Sequence, residues 1–319
     1  MIHMILILIG FAALIFGANI LVDASSSVAR KLKIPDLVIG LTIVAFGTSA
    51  PELIVNIIAS LNGETDVSIG NVVGSNIVNI AAILGLAAIV KPPSINVSTI
   101  FYEIPLSLLS AVVLIVLAGD VYINKEPLAF LTRTDGILLL LFFSVFMYYT
   151  LNMALKSKET EEGIPAKIFS YPVSFLMIFG GLFLLVLGGH LIVDSSVKLA
   201  RLIGITERII ALTIVSFGTS LPELATSLVA ARKGNSDLAV GNVVGSNIFN
   251  IFFILGISAI IAPLPVGENF TLDFIMNAAL SLFLLIFAFR GGDRKIDRKE
   301  GSLFFISYIV YVVFLVYYR

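Results

Sequence analysis

Ten long apolar runs punctuate this chain, near residues 2–22, 37–61, 69–90, 99–118, 135–151, 171–193, 209–231, 239–262, 271–289 and 303–318. A helix needs ~20 largely apolar residues to cross the hydrocarbon of a bilayer. The runs are continuous rather than alternating every second residue, which selects helices over the strands of a membrane barrel. They predict an all-α membrane protein of ten transmembrane helices with short connections. Composition leaves no room for a water-soluble fold, because 58% of the residues are hydrophobic and only 13% charged, with a mean hydropathy of +1.06. Ordinary domains sit near ~45–50% and ~25%. The first run lacks a basic lead-in and a small-residue cleavage site, so it reads as a retained span rather than a secretory signal.

Charge and rare residues narrow the chemistry. Twenty basic residues against 21 acidic ones leave a net charge of −1, which argues against a nucleic-acid partner. With no cysteine and only His3 and His190, any metal must be held by oxygen. No nucleophile–base pair stands out, so an enzyme is not expected; nor is a cofactor or an obligate protein partner. The Lys and Arg residues fall 14 to 6 on alternate sides of the ten spans. By the positive-inside tendency the richer side, with Lys91, Lys156 and Arg294, is cytoplasmic, and both termini lie outside a cell membrane.

The chain repeats itself. Residues 21–92 align without a gap on 192–263 at an offset of 171, with 37 identities in 72 positions. The densest blocks are LTIVAFGTSAPEL (41–53) against LTIVSFGTSLPEL (212–224), and GNVVGSNIVNI (70–80) against GNVVGSNIFNI (241–251). Each half holds five spans, an odd number, so the second copy must enter the membrane from the opposite side. The expected organisation is two inverted five-helix repeats: 1–155, with its motif at 41–90, and 171–319, with its motif at 212–261, joined by a cytoplasmic linker at 156–170. Inverted repeats place substrate sites near the midplane and favour alternating access.

The chemistry sits in the repeated blocks. Glu52 and Glu223 lie mid-span, where a charge costs ~2.5–3.5 kcal/mol on insertion scales, and no predicted span has a Lys or Arg in its interior to pair with them. Their partner must be mobile, a metal cation or a proton. Thr48 and Thr219 precede the glutamates by four residues and share their helix face; Ser49 and Ser220 adjoin. Pro51 and Pro222 cannot donate to the carbonyls of Gly47 and Gly218, so kinks with freed backbone oxygens are expected there. Ser75 with Asn79, and Ser246 with Asn250, repeat the four-residue spacing on the next helix. Such hard oxygens suit calcium or sodium better than magnesium. Blander readings fit the rest: Gly70/Gly74 and Gly241/Gly245 for close packing, Asn76 and Asn247 for helix breaks or packing, Asp23 and Asp194 as caps at span ends, and Glu103 as an acid near a membrane boundary without a counterpart in the second half.

The duplicated GTSAPEL/GTSLPEL and GNVVGSN motifs resemble the alpha repeats of the cation/calcium antiporter superfamily, in particular prokaryotic sodium/calcium exchangers. The resemblance implies calcium and sodium as alternating substrates, about three sodium ions per calcium, and electrogenic exchange. It implies that Glu52, Glu223, Thr48 and Thr219 ligate calcium, that carbonyls near Ala45 and Ser216 with Ser49, Ser75, Ser220 and Ser246 form flanking sodium sites, and that Asn79 and Asn250 line the centre. Some members carry an aspartate where this chain has Asn250. The reading is a sodium/calcium secondary antiporter, with exchange of calcium for protons or another cation as the alternative.

Overall fold

The computed structural model describes residues 2–123, 125–126, 128–156, 168–202, 216–267, 270–290 and 294–318. The chain is helical nearly throughout, α1 (Ile2–Leu32), α2 (Asp36–Thr48), α3 (Ala50–Asn62), α4 (Thr65–Ile77, running on through Val78–Leu84 to Gly85–Val90), α5 (Thr99–Leu117), α6 (Asp120–Ile123) and α7 (Arg133–Lys156) forming the first half. The second comprises α8 (Tyr171–Leu202), α9 (Ser216–Thr219), α10 (Leu221–Lys233), α11 (Ser236–Ile261), α12 (Phe270–Arg290) and α13 (Arg298–Tyr318). One short antiparallel pair, β1 (Ala129–Leu131) with β2 (Leu264–Val266), clips the halves together.

Among the described residues eight helices are long and apolar enough to span a bilayer, and the bent pair α2–α3 makes a ninth. The span expected over 209–231 begins outside the described residues, and α9 and α10 are its described part; most of the 156–170 linker also lies outside them. Two expected boundaries move. The first and sixth spans run to Leu32 and Leu202 rather than to 22 and 193, because small residues such as Ala24 and Ala29 are buried and nothing breaks α1 before Lys33, at φ 57, and Pro35. Asp23 and Asp194 therefore sit inside helices and do not cap them: Asp23 pairs with Lys233 of α10 and Asp194 with Lys198, each at 2.7 Å.

The 171-residue offset survives in the elements. Ala50–Asn62 maps onto Leu221–Lys233, Thr65–Ile77 onto Ser236–Ile248, and the π-helical stretch Val78–Leu84 onto Phe249–Leu255. Even the left-handed turns correspond, at Gly63 (φ 77) and Gly234 (φ 82), a conformation that only glycine adopts without strain. Helices α1 and α8 pack where a Cβ on Gly10 would lie 2.8 Å from Gly188 O and one on Gly17 would lie 2.8 Å from Gly181 O. Rising numbers on α1 meet falling numbers on α8, so these equivalent helices run antiparallel. At the centre lie α4 and α11, 83% and 78% buried along their spanning windows; the other long spans remain under half buried.

Candidate ion-binding site

The site is built where α2 stops and α3 begins. Ser49 leaves helical geometry (φ −83, ψ 7), and the two helices meet at a 46° bend. Pro51 is accommodated because the first turn of a helix needs no donor there. The break places Glu52 in the first turn of α3, where the helix dipole favours negative charge. Ser220 (φ −86, ψ 7), Pro222 and Glu223 reproduce this at the start of α10. Both glutamates are 1% exposed, deep inside the protein.

Hydrogen bonds then cross between the halves in reciprocal pairs. The Ser49 hydroxyl donates to Glu223 Oε1 (2.9 Å) and that of Ser220 to Glu52 Oε1 (3.5 Å); Ser75, within the half of Glu52, donates to the same oxygen (3.4 Å). Ser49 also reaches Ser246 Oγ at 3.1 Å. Thr48 donates to Asn242 Oδ1 (3.1 Å) and Thr219 to Asn71 Oδ1 (3.4 Å). The Asn79 amide donates to Asn247 Oδ1 (2.9 Å), and the Asn250 amide to Asn76 Oδ1 (3.0 Å). In each exchange the higher-numbered residue of one half meets the lower-numbered one of the other, so α4 and α11 also run antiparallel.

Four oxygens remain. Glu52 Oε2, Glu223 Oε2, Asn79 Oδ1 and Asn250 Oδ1 are buried and find no partner among the described residues. Buried polar atoms in folded proteins are almost always satisfied, so a pair of carboxylate and a pair of carboxamide oxygens left open, with two formal negative charges between them, fits a hard cation. No cluster of three or more His, Cys, Asp or Glu occurs among the described residues. Any cation held here is thus held by two acids and neutral oxygens.

The structure joins Thr48, Ser49, Ser246 and Glu223 in one hydrogen-bonded group, through Asn242, and Glu52, Ser75 and Ser220 in another; Thr219 bonds Asn71, and Asn79 and Asn250 bond Asn247 and Asn76. Ala45 O already accepts from Ser49 N (3.0 Å) and the Thr48 hydroxyl (3.4 Å). Ser216 opens the described part of α9, in register with Ala45. Sequence reasoning passed over Asn71 and Asn242, although each is a polar residue duplicated in an apolar helix. It also assigned Asn76 and Asn247 to helix breaks or packing; in the structure each accepts an N–H of Asn250 or Asn79, whose oxygens have no partner among the described residues.

Residues 2–152 and 173–317 match the family model described as sodium/calcium exchanger protein. The chain belongs to the sodium/calcium exchanger protein family. Its members are secondary transporters, not enzymes, and move ions without a cofactor. Relatives include a putative antiporter, CaxA, of Alkalimonas amylolytica, 37% identical with 96% of each chain covered, and the sodium/calcium exchanger MaX1 of Methanosarcina acetivorans, 33% identical with 99% of each covered. The solved sodium-calcium exchanger NCX_Mj superposes with a TM-score of 0.84 at 32% identity, covering 99% of each chain.

Proposed function

We propose that this chain exchanges calcium for sodium across a cell membrane by alternating access, as ten spans in two inverted five-helix halves with both termini outside. The antiparallel course of equivalent helices and the 171-residue offset support the inverted arrangement. One observation carries the transport reading: Glu52 and Glu223, fully buried and crosswise bonded to serines of the opposite half, each keep one oxygen without a partner among the described residues. Calcium would neutralise both carboxylates, with Thr48, Thr219, Asn79 and Asn250 as neutral ligands; Ser49, Ser75, Ser220, Ser246 and the carbonyls of Ala45 and Ser216 would serve sodium. A sodium ion matches one carboxylate, so sodium and calcium would compete for the same charges and their transport would be linked.

The names of the relatives support calcium and sodium as the substrates. Calcium uptake into proteoliposomes under an outward sodium gradient tests the reading. Uptake driven by sodium alone is expected; uptake driven only by a proton gradient would favour calcium/proton exchange, and none under either gradient would remove antiport altogether.

A further inference from the structure

A second line of buried polar groups crosses this molecule away from the glutamate site. On α5, Thr99, Glu103, Ser107 and Ser110 follow one another at helical spacing, and all are at most 2% exposed. On α12, Asp273, Asn277 and Ser281 do the same, at 5% or less. The two helices pack together. Phe101, near the start of α5, meets Phe289, near the end of α12, with ring centroids 5.3 Å apart, so they run antiparallel. The α5 residues thus occupy the half of this seam nearer one membrane face, and the α12 residues continue it toward the other.

Each end carries an acid bonded to a tyrosine from the last helix of its own half. Tyr149 donates to Glu103, and Tyr311 donates to Asp273 at 2.8 Å. Glu103 therefore has a counterpart acid after all, one position out of register with the offset, since 103 + 171 = 274 and the acid stands at Asp273. Between the ends the serines bond their own helices, Ser110 to Ser107 O and Ser281 to Asn277 O. The polar atoms left over are Glu103 Oε2 and both side-chain atoms of Asn277, none of which has a partner among the described residues. A carboxamide buried to 1% that finds neither an acceptor nor a donor among the described residues is matched by water, which donates and accepts at once.

We propose that the α5–α12 seam is a proton path separate from the glutamate site, with Glu103 and Asp273 as the groups that take up and release protons at its two ends. A metal cation is a poor occupant, because each end offers a single carboxylate and the middle only neutral groups, whereas a proton needs only successive hydrogen bonds. A carboxyl at Glu103 passes its proton to water, one O–H bond breaking as another forms. Further waters along the buried polar faces of α5 and α12 carry it to the one held by Asn277, one helical turn from Asp273, and the Asp273 carboxylate receives it, each transfer breaking one O–H bond as another forms. The ionisable groups that face the Glu103 end are Tyr149 of α7, bonded to it, and Tyr102 of α5, whose ring packs on that of Tyr149. Tyr311 of α13 faces the Asp273 end.

The test uses the whole chain in vesicles loaded with a pH-sensitive dye, without sodium or calcium, and with a potassium diffusion potential as the driving force. Native protein is expected to pass protons faster than protein-free vesicles. Asn277→Leu, Glu103→Gln and Asp273→Asn should each lose that excess while eluting and melting as the native protein does. Sodium-driven calcium flux, measured on the same preparations, should persist in all three, and its absence from the native protein would count against the antiport reading alone. Proton flux no greater than that of protein-free vesicles, or conduction at the native rate by the folded variants, would overturn the path.

Discussion

Glu52 and Glu223 differ from ordinary buried acids in having one oxygen bonded and one without a partner among the described residues. Glu52→Gln or Glu223→Gln keeps size and most hydrogen bonds but leaves one negative charge facing a divalent ion, so each is expected to abolish calcium transport in a folded protein; calcium flux in proteoliposomes checks this, and normal exchange by either variant would remove the central claim. The asparagines permit a finer test. Asn76 Oδ1 accepts the Asn250 amide, and this bond uses an Asn250 N–H while its oxygen stays without a partner among the described residues. Asn76→Ala leaves that amide unpaired, which costs about 1–2 kcal/mol, or roughly tenfold in apparent cation affinity. The expected signature is a higher half-saturating calcium concentration with maximal rate retained, and unchanged affinity would return Asn76 to a packing role. The sequence marked Glu52 and Glu223 because an uncompensated charge in an apolar run has few innocent explanations. It could not separate Asn76 from Asn79, because both are carboxamides at compatible spacing and only the crossing of α4 and α11 decides which atom each one spends.

At the scale of elements, the legible part was whatever hydrophobicity or a backbone-restricting residue encodes. Apolar runs located the spans, and Pro51 and Pro222 located the breaks, because a missing N–H cannot be overridden by tertiary packing. The ends of α1 and α8 were not legible, since the helices continue through small and polar residues that fall silent in a hydropathy pattern once they are buried against neighbours. The acid pair Glu103 and Asp273 escaped for a related reason, a one-residue shift beyond the aligned block. Helix crossing was equally hidden. Gly17 and Gly181 bring α1 and α8 so close that a Cβ on Gly17 would sit 2.8 Å from a backbone oxygen and 2.9 Å from Leu184 Cβ. Gly17→Leu is expected to cost about 1–3 kcal/mol by overpacking, read as a lower melting temperature in detergent. Gly180, with open space where its Cβ would lie, should tolerate alanine, and equal effects at the two positions would contradict the close approach.

For the whole molecule, orientation and net charge movement are the properties to settle. The 14-to-6 distribution of Lys and Arg predicts the α3–α4 turn outside and the α4–α5 connection inside. A chain without cysteine is a clean background, so a cysteine at exposed Asn62 should label from outside and one at exposed Ser94 only from within; the opposite pattern would reverse the topology. Charge movement follows from the site. Glu52 and Glu223 supply two negative charges, and the other proposed side-chain ligands are neutral, with Asn79 and Asn250 both carboxamides. With calcium bound the site is neutral. If three sodium ions replace it, as the resemblance to sodium/calcium exchangers implies, the loaded site carries one excess positive charge, and each cycle moves one net charge across the membrane. That charge is worth ~2.3 kcal/mol per 100 mV, enough to shift a 1:1 balance of fluxes by roughly fiftyfold. Sodium-driven calcium uptake should therefore accelerate when valinomycin and potassium set the vesicle interior positive, since sodium leaving in excess carries positive charge out, and should slow when it is negative. A rate indifferent to potential would mean two sodium ions per calcium, leaving the site neutral in both loaded states.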